Sequence, residues 1–132
     1  MSNTTTVSLI KADIGSSPGH IILPQEFFEI ARKELKEKGV NTGLLIDFHV
    51  YNCGDDLQLL MTHNKGEDYA KVHELAWNTF LKCTDFAKKN KLYGAGQDLL
   101  KDAFSGNVRG MGPGAAELEF VERFYNWKIY FP

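Results

Sequence analysis

Hydrophobic and polar positions divide this chain into six elements. Val7 to Ala12 alternates and is rich in branched side chains, which predicts a first strand. Asp13 to Gly19 then gathers Gly15, Ser16, Ser17, Pro18 and Gly19, the composition of a loop. Pro24 opens a helix of about fourteen residues with Phe27, Phe28, Ala31 and Leu35 on one stripe, and Gly39 is placed to end it. Leu44 to Tyr51 and Leu57 to Thr62 read as two strands of a hairpin closed by Gly54, Asp55 and Asp56. From Glu67 to about Lys89, Val72, Leu75, Ala76, Thr79, Phe80, Cys83 and Phe86 recur at steps of three and four, the spacing of an amphipathic helix. Glu117 to Arg123 reads as a last strand.

The resulting β-α-β-β-α-β order is that of an α+β, ferredoxin-like domain, an antiparallel sheet with helices on one face. Its other face then needs a cover. Six of the sixteen aromatic residues fall in the last 13 positions (Phe120, Phe124, Tyr125, Trp127, Tyr130 and Phe131), which adds to the surface expected to associate.

A length of 132 residues fits one domain, 1–132, and 43% hydrophobic with 24% charged residues is an ordinary globular balance. A net charge of −2 argues against a general nucleic-acid binder, which needs a basic field. Lysines do cluster at 33–38 and 82–91, but at helical spacing with glutamates, as on a solvated face. Cys53 and Cys83 lack metal-type spacing and read as reduced thiols. Met1 to Thr6 has no leader pattern and no apolar run approaches the ~20 residues that span a bilayer, so a cytoplasmic protein without membrane contact is expected.

The candidate chemistry is acidic. Asp55 and Asp56 are adjacent at a turn, which fits a solvated hairpin tip as well as a metal site. Two unit negative charges about 4 Å apart repel by roughly 4 kcal/mol at an effective dielectric near 20, so an inward-facing pair needs a counter-ion. Asp13 follows the first strand, His20 the first loop, and Gln97 sits in a Gly-rich stretch. In this fold order the end of the first strand and the central hairpin can lie side by side. Oxygen donors with one imidazole suit Mg²⁺ or Mn²⁺ better than a structural zinc. Six of the twelve glycines lie between Gly94 and Gly114, a backbone suited to close approach to a ligand. Within it, Gly106-Asn107 can turn backbone N–H groups toward a phosphate and Arg109 can add a charged contact, although a plain surface loop has the same composition. His49, His63 and His73 lack such company and read as structural or solvent-facing.

These residues carry a resemblance. Lys11-Ala-Asp-Ile-Gly-Ser, Gly19-His20, Gly54-Asp-Asp-Leu-Gln-Leu, Met61-Thr-His, Lys71-Val-His-Glu, Ala76-Trp-Asn, Leu92-Tyr-Gly-Ala-Gly-Gln-Asp-Leu-Leu and Phe104-Ser-Gly-Asn-Val-Arg-Gly-Met-Gly-Pro-Gly resemble, in order, the archaeal-type fructose 1,6-bisphosphate aldolase/phosphatases. The resemblance runs from about Ser8 to Glu119 and covers roughly the first third of that family's length. It implies a Mg²⁺-dependent, homo-oligomeric enzyme of gluconeogenesis. Such an enzyme condenses glyceraldehyde 3-phosphate with dihydroxyacetone phosphate and then removes the 1-phosphate of fructose 1,6-bisphosphate to give fructose 6-phosphate. By motif, Asp13, His20, Asp55, Asp56 and Gln97 match metal ligands. His20, Tyr93, Gly106 and Asn107 match positions that hold the substrate and its phosphate.

In that family the Schiff-base lysine, its partner tyrosine and further acidic ligands lie beyond the part that this chain matches. None of its lysines corresponds to the Schiff-base position, so the chain alone is expected to hold metal without forming the covalent intermediate. A non-catalytic metal or sugar-phosphate binding module, or a subunit completed by a partner chain, is the alternative. Without the resemblance, a small regulatory domain with a ligand loop fits the same pattern.

Overall fold

The computed structural model describes residues 3–14, 23–90 and 114–122. Four strands, β1 (Asn3–Asp13), β2 (Asp47–Cys53), β3 (Asp56–His63) and β4 (Gly114–Glu122), form one sheet in the order β2-β3-β1-β4. Every neighbouring pair is antiparallel. Helices α1 (Gln25–Leu35) and α2 (Ala70–Lys89) complete the expected β-α-β-β-α-β order. This is the ferredoxin-like α+β arrangement. The His20, Tyr93, Gln97, Gly106 and Asn107 expectations, most of the Gly-rich stretch and the aromatic tail beyond Glu122 lie outside the described residues.

Strand alternation sorts the sheet into two faces. Ile10 and Ala12 of β1, Val50 of β2, and Leu57, Leu59 and Met61 of β3 are buried with Phe27, Ala31 and Leu35 of α1 and Val72, Leu75, Phe80 and Cys83 of α2. Phe27 meets Phe86 edge to face, with ring centroids 5.8 Å apart. On the opposite face, register aligns Val7 with Leu118 and Leu9 with Leu60 and Ala116. There Leu118 stays 63% exposed and Phe120 41%, so no described element covers this side of β4.

Local expectations shift at several points, and β1 begins at Asn3 rather than Val7 and β4 at Gly114 rather than Glu117. Gly39 does not end the first helix. The chain continues through a π-helical turn, Lys36–Val40, and the left-handed backbone comes at Gly43 (φ 82°). Gly39 is needed for space instead, because a Cβ there would stand 2.6 Å from Leu45 Cδ1 and 3.1 Å from Leu75 Cδ2. The hairpin's first strand begins at Asp47 rather than Leu44, since Leu44 and Leu45 are spent packing the helix end onto the core. Helix α2 begins at Ala70 rather than Glu67, because Asp68 adopts φ 59°, which no right-handed helix accommodates.

The helical stripe also hides a charge. Glu34 is buried in α1, and Lys38 and Lys82 reach it from the surface. Burial pushes its carboxyl up, but the two ammonium groups outweigh that and hold it below the usual carboxylate range. In α2 the Cys83 thiol is pushed up to about 12 by burial, while Cys53 is exposed on β2 and neither cysteine is paired.

Candidate metal centre

The hairpin that carries the acid pair is tight because Gly54 permits it. Cys53 pairs with Asp56, leaving Gly54 and Asp55 as a two-residue loop. Gly54 takes φ 61° at the first loop position while Asp55 keeps a negative φ, the pattern of a type II′ turn. Asn52 Nδ2 donates to the Gly54 carbonyl at 2.9 Å and steadies the loop. Register then carries the turn to the end of β1, where Asp13 lies directly opposite Asp56.

Asp13, Asp55 and Asp56 each bring a carboxylate oxygen within 4.8 Å of the others, and all three are partly exposed. Three hard oxygen donors open to solvent on one side can hold a divalent cation whose remaining positions are left to water or substrate. Lys11, two positions before Asp13 and on the same sheet face, places its ammonium 3.3 Å from Asp56 Oδ2. Its stem lies over Gly114 of β4, where an added Cβ would come within 3.1 Å of Lys11 Cε. The corner therefore sits at one end of the sheet face that the helices leave open. Clefts of about 440 Å³ occur on the helical side, one along Lys38, Lys65 and Tyr69 and one along Glu34 and Lys82, and neither includes a corner residue.

A second polar cluster lies farther along β1, on the helical face. Ser8 pairs with Glu117 across β1 and β4 and donates its hydroxyl to Glu117 Oε2. Glu117 Oε1 receives the Asp68 N–H at 2.9 Å and meets His73 Nε2 at 2.9 Å. Behind Ser8, His63 Nε2 stands 2.8 Å from Ser8 Oγ, while His63 Nδ1 accepts the Lys65 N–H at 3.2 Å. That acceptor role places the ring proton on Nε2, so the donors run His63 to Ser8 to Glu117. Burial pushes the Glu117 carboxyl up, but hydrogen bonds from Ser8, the Asp68 N–H and His73 outweigh it and hold the group below its ordinary range. Burial pushes His63 down, more strongly than the Glu117 charge raises it, so its ring stays neutral.

Sequence pattern thus located Asp13, Asp55 and Asp56, which the fold brings together. It missed the role of Ser8, His73 and Glu117. His63 is buried structure as expected, whereas His73 is half-buried and engaged with Glu117. The available signal was a serine and a histidine in line with the inward-facing Ile10 and Ala12 of β1 and Leu57, Leu59 and Met61 of β3, but their partner Glu117 is 109 residues from Ser8.

Residues 4–131 match the Fructose-1,6-bisphosphatase family. Among curated relatives, the Fructose-1,6-bisphosphate aldolase/phosphatase of Pyrobaculum neutrophilum is 60% identical over 119 residues, covering 89% of this chain and 30% of that protein. The protein of the same name from Thermococcus kodakarensis is 57% identical over 118 residues, 89% of this chain and 31% of its own length. That from Moorella thermoacetica is 54% identical over 123 residues, 93% of this chain and 31% of its own length. The chain therefore spans about 30% of the length of the relatives it matches.

Proposed function

Because this chain belongs to the Fructose-1,6-bisphosphatase family, we propose that it carries the metal corner and phosphate-binding loop of a Mg²⁺-dependent fructose 1,6-bisphosphate aldolase/phosphatase of gluconeogenesis. The observation that carries this reading is the convergence of the Asp13, Asp55 and Asp56 carboxylates at one end of the sheet. His20 and Gln97 complete the ligand set, and Mn²⁺ is the substitute ion. A divalent cation bound there would supply electrophilic polarisation of the phosphoryl oxygens.

The chain's own groups do the rest of its share. The carboxylates fix one wall of the site because two come from a tight turn and one from a paired strand end, so their spacing is set by backbone geometry. Lys11 offers a positive charge to a phosphate oxygen once Asp56 is engaged elsewhere. Tyr93 and the Gly106-Asn107 backbone hold the sugar and its phosphate. The substrates are glyceraldehyde 3-phosphate and dihydroxyacetone phosphate for condensation and fructose 1,6-bisphosphate for hydrolysis. The Schiff-base lysine and the remaining acidic ligands belong to the part of the relatives that this chain does not match.

Calorimetric titration of fructose 1,6-bisphosphate into the chain, with and without Mg²⁺, tests the reading. Binding that appears only with Mg²⁺ is expected. Equal binding without the ion, or none with it, would overturn the reading.

A further inference from the structure

The cluster around Glu117 is built more elaborately than an ion pair requires. Asp68, His73 and Glu117 each present a ligand atom within 4.8 Å of the other two. They come from the loop before α2, from its first turns and from β4. His73 Nε2 and Glu117 Oε1 are 2.9 Å apart. An ion about 2.1 Å from both would see them at about a right angle, the angle between neighbouring ligands in a five- or six-coordinate site completed by water. The side chain of Glu117 is 9% exposed and that of His73 35%, while Asp68 is exposed, so the cluster opens to solvent on one side only.

The buried side is what distinguishes it. The second oxygen of Glu117 is held by Ser8, and Ser8 by His63, both fully buried. Outer hydrogen bonds of this kind fix the orientation of a metal-binding carboxylate and aim its other oxygen, which also accepts the Asp68 N–H, at the cluster with one lone pair left to coordinate. The His73–Glu117 contact, with the histidine 35% exposed and the carboxylate 9%, uses only one of the two Glu117 oxygens. Ser8 is not an activated nucleophile here. It is buried, and it donates to the carboxylate rather than to the imidazole, the reverse of a Ser–His–acid relay.

We propose that Asp68, His73 and Glu117 form a second divalent-cation site, independent of the acid corner, which takes a borderline ion such as Zn²⁺ or Co²⁺ and clamps β4 to the start of α2. One imidazole with two carboxylates favours such ions, whereas the all-carboxylate set of Asp13, Asp55 and Asp56 favours Mg²⁺. On binding, His73 coordinates through Nε2 as the neutral tautomer with its ring proton on Nδ1. Glu117 keeps its hydrogen bonds from Ser8 and from the Asp68 N–H.

The test uses the full chain with Asp55→Asn and Asp56→Asn in place, so that the corner does not contribute. Its probes are ZnCl₂ by calorimetry and CoCl₂ by visible absorption. One equivalent of Zn²⁺ should bind, with a d–d band for Co²⁺ and a rise in Tm. Adding Asp68→Asn removes a carboxylate but keeps the backbone donor, and asparagine tolerates the left-handed conformation at this position. It should weaken binding at least tenfold without changing the Tm measured in EDTA. Adding His73→Gln should abolish the Co²⁺ band. Should His73→Gln not fold, the Asp68→Asn comparison decides. The proposal is overturned if the parent takes up no Zn²⁺, or if Asp68→Asn binds it as tightly as the parent does. Neither result bears on Mg²⁺ at the corner, which is read in the unmodified chain.

Discussion

Lys11→Met probes how the acid corner balances its charge. The Lys11 ammonium lies 3.3 Å from Asp56 Oδ2, with the lysine side chain 51% exposed and that of Asp56 27%. In water that attraction is about 1.3 kcal/mol before screening. A divalent ion about 2.1 Å from the same carboxylate would stand roughly 5 Å from the ammonium, and their repulsion in water would be about 1.7 kcal/mol. Lys11 need not endure that repulsion, because its exposed head can swing out at the cost of the ion pair alone. The smaller quantity governs, and an exposed pair is worth about 0.5–1 kcal/mol. Removing the charge should therefore tighten Mg²⁺ binding about two- to fivefold. Methionine keeps an unbranched stem over Gly114, so packing changes little. Calorimetric Mg²⁺ titrations of the two proteins at low and at physiological salt provide the assay, and the gap should narrow as salt rises. Unchanged or weaker Mg²⁺ binding in Lys11→Met would refute the reasoning, since the ammonium would then not compete with the ion.

Other consequences can be checked on the same protein. Gly39→Ala gains about 1 kcal/mol of helix propensity but forces a methyl to 2.6 Å from Leu45, so a net loss of about 1–2 kcal/mol and a fall in Tm of several degrees are expected by calorimetry. Glu34 is held ionised more strongly in the folded chain than in the unfolded one, so its contribution is present above the ordinary carboxylate value and is lost as pH falls through the lower folded value. Glu34→Gln should accordingly cost about 1–2 kcal/mol near pH 7, half-exposed lysines limiting the loss, and the gap to the parent should close toward pH 3 in denaturant titrations. His63, depressed by burial, adds to acid sensitivity from the other side, because below about pH 6.5 the unfolded chain takes up a proton that the folded chain refuses. With a thiol reagent at pH 8, Cys53 should react at once and Cys83 only on unfolding. Borohydride with dihydroxyacetone phosphate should trap no adduct on this chain; a trapped adduct would place a Schiff-base lysine within it.

What could be read from the residues was what local chemistry determines. The amphipathic spacing in α2 and the Gly54 turn each announce their element, and the turn brings Asp55 and Asp56 to one tip whatever surrounds them. Asp13 joins them because β1 ends there, a step that follows from the order of elements. The hidden features depend on contacts between distant segments. Gly39 looked like a helix stop, and only its approach to Leu45 and Leu75 reveals a spacing role. Glu34 sits one position from Leu35 and reads as a polar neighbour, yet it is buried because Lys82 arrives from α2. Asp68 delays α2 through a backbone angle that composition does not announce. The Ser8–Glu117 pair depends on the register of β1 with β4, which alternation alone leaves free.

The proposed role of the Asp13, Asp55 and Asp56 corner is to hold a divalent ion for sugar-phosphate chemistry. Calorimetric Mg²⁺ titration of the chain against its Asp55→Ala/Asp56→Ala variant tests it most directly. Saturable Mg²⁺ binding in the parent that disappears in a variant of unchanged fold is the predicted result. Identical titrations of the two proteins would contradict it.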